Sequence, residues 1–303
     1  EIDFFGGEPL LNQGLLFELV GYGKKQAALI GKALNFTLTT NTLGLNREVL
    51  EFLREERMGL VLSIDGRPEV NDRMRGKGTY DLIMPRIMEV VEDFPEINYY
   101  VRGTFTGYNL DFTEDLRHLY TLGVRSLSLE PVVCDPKLPY AIREEDLPRI
   151  FEEYERLAAY WWERYQAGDP FRFFHFVVDL EKAPCLPKRL LGCGAGVDYL
   201  AVTPQGELYP CHQFVGEERF RLGTVFTGID RPEIKQTFTE ARFFKKEGCA
   251  DCWARYYCSG GCHANAYYES GSILRPSLMA CRLQKKRLEC ALGLKALQME
   301  EEG

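Results

Sequence analysis

No run in the 303-residue sequence approaches the roughly 18 consecutive apolar residues that a membrane-spanning helix requires. No basic start followed by a short apolar stretch marks a secretory leader either. Basic excess is also missing: 37 Lys and Arg against 45 Asp and Glu leave a formal charge of −8. A surface that neutralises phosphates is normally basic, so nucleic acid is not an expected partner, and with no spanning segment neither is a membrane. Cysteine is scarce on average, 10 residues in 303, far below the roughly 8–10% of a disulfide-held scaffold. What is present, 45% hydrophobic and 27% charged residues, can bury a core, and at roughly 150 residues per domain the length gives about two units.

The few cysteines are unevenly placed, with Cys249, Cys252, Cys258 and Cys262 in one short window. Without a secretion signal, such clustering points to metal binding in a reducing compartment before it points to disulfides, and makes the cytoplasm the expected location.

Residues 1–168 alternate β-rich runs with helical patterns, the signature of βα units on a parallel sheet. Strands are expected at Glu1–Phe5, Asn35–Thr40, Leu60–Ile64, Asn98–Phe105 and Val124–Glu130. Helices are expected near Asn12–Lys32, Arg47–Glu56, Tyr80–Glu92 and Asp111–Leu122, where apolar residues recur at spacings of three and four. A strand at residue 1 predicts a chain that starts inside a domain, with at least one more βα unit upstream. A long amphipathic helix, about Arg143–Gln166, leads to the breaker cluster Gly168-Asp169-Pro170. Residues 169–303 then form a turn-rich second domain carrying most of the cysteines. In it, Tyr199–Thr203 and Glu207–Cys211 flank Pro204-Gln205-Gly206 as a hairpin, and Arg282–Glu301 is a closing helix.

Gly6-Gly7-Glu8-Pro9 lies where a strand ends and a helix is about to begin. Paired glycines let a backbone approach a ligand, and the carboxylate can accept hydrogen bonds from an ammonium group. Alone it reads equally as a turn, but Asn41, Ser63 and Asp65 close the next two strands and Arg102 lies on the one after. Strand C-terminal ends are where parallel α/β sheets bind ligands. Arg73 and Arg75 precede Gly76-Lys77-Gly78-Thr79 and read as solvated basic residues or as a loop beside that site; Trp161-Trp162 reads as packing.

Cys249-x2-Cys252-x5-Cys258-x3-Cys262 supplies closely spaced thiolates, soft ligands that select zinc or iron–sulfur clusters. A structural zinc knuckle accounts for four of them. Cys193, Cys211 and Cys281 would then be left without a role, while Cys134, Cys185 and Cys290 are isolated. His212 and His263 each follow a cysteine, where a structural role competes with a hydrogen bond to cluster sulfur.

The full pattern Cys193-x12-Gly206-x4-Cys211, Cys249-x2-Cys252-x5-Cys258-x3-Cys262 and Cys281 resembles the seven-cysteine SPASM domain of radical S-adenosylmethionine (SAM) enzymes. Gly6-Gly7-Glu8-Pro9 resembles the segment that holds the SAM amino group there. The wording around Gly196-Val197-Asp198-Tyr199, Tyr209-Pro210-Cys211-His212-Gln213-Phe214 and Cys258-Ser259-Gly260-Gly261-Cys262-His263 is most similar to maturases of the cysteine-rich SCIFF peptides. Anaerobic sulfatase maturases share much of it.

The resemblance implies a partial radical SAM (β/α) barrel over 1–168 and a SPASM domain over 169–303. Gly6, Gly7 and Glu8 would face the methionine amino group, and Asn41, Ser63, Asp65 and Arg102 the ribose and carboxylate. It implies SAM and two auxiliary 4Fe-4S clusters as cofactors: Cys249, Cys252, Cys258 and Cys281 around the one remote from the active site, and Cys193, Cys211 and Cys262 for the nearer one. Seven cysteines fall one short of the eight such clusters take, so either one iron is open to the substrate's thiolate or Cys185 completes the set. The implied activity installs an intramolecular cysteine thioether in a ribosomally made cysteine-rich peptide, with an electron donor such as ferredoxin or flavodoxin. The nearest alternative is formylglycine formation on a sulfatase.

The sequence departs from the family where the SAM-cleaving cluster is bound: Cys-x3-Cys-x2-Cys, one strand before Gly-Gly-Glu-Pro, does not occur in residues 1–303. A third 4Fe-4S cluster is therefore expected in an N-terminal part that precedes Glu1, and the chain alone is expected not to cleave SAM. The same departure favours the alternative of another class, a non-catalytic iron–sulfur or zinc scaffold that binds a peptide.

Overall fold

The computed structural model describes residues 1–134, 136–180 and 186–302; Cys185, weighed above as an eighth cluster ligand, lies outside the described residues. The chain divides into two compact units, Glu1–Val177 and Val178–Gly303.

The first unit runs β1 (Ile2–Phe4), α1 (Gln13–Leu29), β2 (Phe36–Thr40), α2 (Arg47–Glu56), β3 (Gly59–Ser63), α3 (Pro68–Arg75), α4 (Thr79–Asp93), β4 (Tyr99–Phe105), α5 (Phe112–Thr121), β5 (Ser126–Pro131), α6 (Leu147–Gln166) and β6 (Arg172–Phe173). Its six strands pair in chain order β1-β2-β3-β4-β5-β6, every pair parallel, the α/β fold expected from the sequence. The breaker cluster at Gly168 points to a unit boundary at 168/169. The first compact unit ends at Val177, and β6, which follows that turn, pairs with β5.

Local sequence explains the elements. The Asn46 side chain accepts from the Val49 amide at 3.0 Å and starts α2, an N-cap worth about 1 kcal/mol. Val49, Leu50 and Leu53 then present one buried face, and Arg57, in the left-handed region with φ 53°, ends the helix. Glu153 of α6, 3% exposed, accepts from the Thr113 amide at 2.9 Å and fixes the start of α5 against α6. Trp161 donates to the Phe171 carbonyl at 2.7 Å and Trp162 stacks on Tyr165, so both tryptophans pack within this unit.

The second unit adds α7 (Leu186–Leu191) and an antiparallel sheet of order β10-β9-β8-β7, comprising β7 (Ala201–Val202), β8 (Glu207–Tyr209), β9 (Gly223–Thr224) and β10 (Gly228–Ile229). The expected hairpin is present, with Ala201 opposite Tyr209. Helices α8 (Pro232–Glu240), α9 (Arg255–Cys258), α10 (His263–Ser270) and α11 (Leu278–Glu302) follow. Phe214, Leu222 and Phe238 are fully buried at the centre, with Phe214 packed tilted on Phe220 and edge-on against Phe238. Among the described residues no helix is long and apolar enough to cross a membrane.

Candidate functional site: a polar sheet face and a cysteine-lined cavity

Parallel strands in chain order are joined by crossovers of one hand, which places the helices on one face of the sheet. The alternation of side chains follows. Leu38, Leu60, Leu62, Val101, Phe105, Leu127, Leu129 and Phe173 are buried in the apolar core. Parallel register places Asp3 beside Thr37, Ser63 beside Arg102, Arg102 beside Ser128, and Thr104 beside Glu130 on the opposite face. Each of β1 to β5 carries a polar residue on that face, which Val61 and Tyr100 share.

The loops at the C-terminal ends of the strands are tied to one another. Glu8 Oε1 accepts from the Thr40 hydroxyl at 2.7 Å and the Leu10 amide at 3.1 Å, and Oε2 from the Asn41 amide at 2.6 Å. The Gly-Gly-Glu-Pro loop is thereby fastened to the end of β2. Gly6, at φ +123°, makes a bend that only glycine adopts readily, and Gly6 and Gly7 are exposed with open space beside them. Asn41 Oδ1 closes a local turn by accepting from the Leu43 amide at 2.9 Å.

Asp65, 3% exposed, is held differently from a ligand-facing carboxylate. Arg75 grips it bidentately, donating from Nε and Nη2 at 2.8 Å each, and the Thr104 amide donates to it at 2.9 Å. Asp65 therefore fixes the loop after β3 against β4, and Arg75 is its partner rather than a solvated cation. Arg73 lies over the Tyr108 ring, 3.4 Å from its centroid. The Arg102 side chain has no ion-pair or hydrogen-bond partner among the described residues. Its positive charge acts on Asp3, whose carboxyl is nonetheless held above the usual range by burial.

Sequence reasoning missed three groups on this face: Ser128, Thr104, and Glu130 with its neighbour His175, whose Nε2 lies 2.9 Å from Glu130 Oε1. The period-two alternation Leu127-Ser128-Leu129-Glu130 was the available signal.

In the second unit the thiols occupy two neighbourhoods. Cys249, Cys252, Cys258 and Cys281 line one cavity of about 400 Å³, together with Lys285, Glu247 and Arg275. Cys211 has Cys262 and Cys193 as its electrostatic neighbours. Backbone geometry brings them there: Cys258 ends α9, Ser259, Gly260 and Gly261 all take positive φ, and Cys262 caps α10. Three left-handed residues in succession reverse the chain between two thiols, and glycine makes two of those positions inexpensive.

Burial pushes the Cys211 and Cys281 thiols up to about 11, and raises Cys249, Cys258 and Cys262 as well. Buried thiols need a cation to become ligands, and metal ions deprotonate them. Among the described residues no three His, Cys, Asp or Glu side chains converge as the ligands of one ion would. Four thiols around a cavity suit a polynuclear cluster, which meets each thiolate through a different iron. His263, 3% exposed and held neutral by burial with a pKa of about 3, leaves Nδ1 without a protein partner. His212 lies 3.4 Å from the Tyr199 hydroxyl through Nδ1.

No family model matches the sequence. Mycofactocin maturase MftC of Mycolicibacterium smegmatis is 27% identical over 88% of this chain and 67% of its own. Radical SAM cyclopropyl synthase TigE of Paramaledivibacter caminithermalis is 21% identical over 94% of this chain and 58% of its own, so the chain spans little more than half of that enzyme. A cysteine-type anaerobic sulfatase-maturating enzyme of Clostridium novyi is 22% identical over 86% and 72%. Among solved structures, anSMEcpe with bound AdoMet and the Kp18Cys peptide superposes with a TM-score of 0.79 at 19% identity, over 98% of this chain and 84% of that one. Streptococcus suis SuiB bound to its precursor peptide SuiA gives 0.61 at 17%, over 92% and 64%. By sequence the chain is similar to radical SAM enzymes that mature peptides and sulfatases, and by fold to anSMEcpe and SuiB.

Proposed function

We propose that the chain is the larger part of a radical SAM peptide maturase that forms an intramolecular cysteine thioether in a ribosomally made, SCIFF-type peptide. The observation that carries the reading is the distribution of seven cysteines into a cavity-lining set of four and a second set of three. Bound SAM and its iron–sulfur clusters supply the radical that removes hydrogen from a peptide carbon. The chain's own residues orient and enclose. Gly6 and Gly7 offer open backbone to the methionine amino group, and Glu8 holds that loop. Arg102 offers a fork to a carboxylate, with Ser63 beside it on β3 and Asn41 after β2, one strand further on. Cys249, Cys252, Cys258 and Cys281 would hold one auxiliary 4Fe-4S cluster and Cys193, Cys211 and Cys262 the other. The SAM-cleaving cluster would be held upstream of Glu1, and a ferredoxin or flavodoxin would supply electrons in the cytoplasm.

Similarity to the sulfatase-maturating enzyme favours formylglycine formation as a second reading. Product mass separates the two. With the upstream cluster motif in place, SAM, reductant and a cysteine-rich peptide are expected to give a product lighter by two hydrogens with its sulfur retained; loss of sulfur would select the second reading.

In the same protein Arg102→Ala is expected to weaken SAM binding about tenfold while leaving the melting temperature unchanged. Charge-assisted hydrogen bonds are worth roughly 1.5–3 kcal/mol, and 1.4 kcal/mol is about a factor of ten. Calorimetric titration with SAM checks it, and an unchanged affinity would move the carboxylate contact elsewhere.

A further inference from the structure

Lys246 is the one residue whose side chain is both cationic and buried to 3% exposure among the described residues. Its ammonium donates to the Gly260 carbonyl at 2.9 Å, in the turn between Cys258 and Cys262, and its own carbonyl accepts from the Cys249 amide at 3.2 Å. The stem lies in a cradle that exists because residue 260 is glycine: a Cβ there would come within 2.8 Å of Lys246 Cδ. Gly260 lies in the short turn that joins Cys258 of one set to Cys262 of the other, so the ammonium is held at the link between the two sets. Lys285 also acts on Cys249 and Cys281, but it is exposed and its charge is screened by water.

We infer that Lys246 is a positioning residue shared by the two cysteine sets, whose fixed positive charge raises the reduction potential of the iron–sulfur groups they hold. A cluster gains negative charge on reduction, and a buried cation nearby favours the reduced state, as net charge and hydrogen bonding do at such centres generally. One cation close to both sets also biases both in the same direction. The inference rests on the cluster reading above, so iron content is measured first: a reconstituted wild-type chain without iron and sulfide defeats that reading, and with it the premise here.

With iron present, the midpoint potentials are read by spectroscopically monitored redox titration. Lys246→Met is expected to lower the equilibrium constant for one-electron reduction about tenfold, ~59 mV for a one-electron couple. Lys246→Arg keeps the wild-type potentials, and Lys285→Met moves them much less. If Lys246→Met forfeits iron, Lys246→Gln removes the charge while keeping a donor toward Gly260. Unchanged potentials in the neutral variants, an equal shift in Lys246→Arg, or loss of iron from both neutral variants would overturn the electrostatic role and leave Lys246 as packing.

Discussion

Cys258→Ser is expected to remove about half of the iron that the anaerobically reconstituted chain takes up, about four of eight atoms. The sulfur stands at the hinge of the arrangement, ending α9 and opening the left-handed turn that leads to Cys262. Burial disfavours its ionisation, so only a bound cation makes it a good ligand, and a serine hydroxyl replaces it poorly at a soft metal. Cys290→Ser, outside both sets, should leave the iron content unchanged. Iron and sulfide analysis with the visible absorption of the product reads both variants. Zinc as the only tightly bound metal, without broad visible absorption, would defeat the cluster assignment and return the window to a zinc knuckle.

The second large effect is on stability. Asp65→Ala is expected to cost about 3–5 kcal/mol, because it strips a nearly buried carboxylate from its bidentate arginine and its backbone donor. For a unit of this size that is a fall of roughly 10 °C in melting temperature. Arg75→Ala should destabilise comparably, by leaving Asp65 buried and unpaired, and the double substitution should cost less than the sum. Thermal unfolding of the three variants measures this. If Asp65→Ala instead leaves the melting temperature intact and weakens SAM binding, the carboxylate belongs to the ligand.

That contrast between Asp65 and Arg102 marks how far the sequence was legible. Both lie at strand ends, and composition alone makes each a reasonable ligand contact. Asp65 has its partner ten residues later on α3. That helix gave no periodic signal, since only Val70 and Met74 are apolar along Pro68–Arg75. Strand β6 was equally silent: two residues, Arg172 and Phe173, carry too little alternation to distinguish a strand from a turn. By contrast the helix expected near Arg47–Glu56 is α2 itself, because Val49, Leu50 and Leu53 keep the helical spacing and form its buried face. The cysteine spacing was plain in the sequence, but its division into two neighbourhoods depends on where a reversed turn and two helix ends point, which spacing does not encode.

The bonds to Glu8 and Asp65 bear on how a ligand would arrive. Three donors hold Glu8 and three hold Asp65 while the protein is free. The loops they fasten have already given up their conformational freedom during folding, so association at this edge orders little additional chain. Binding there should proceed at an encounter-controlled rate without a slow isomerisation, and its entropy should reflect the ligand and displaced water more than the backbone.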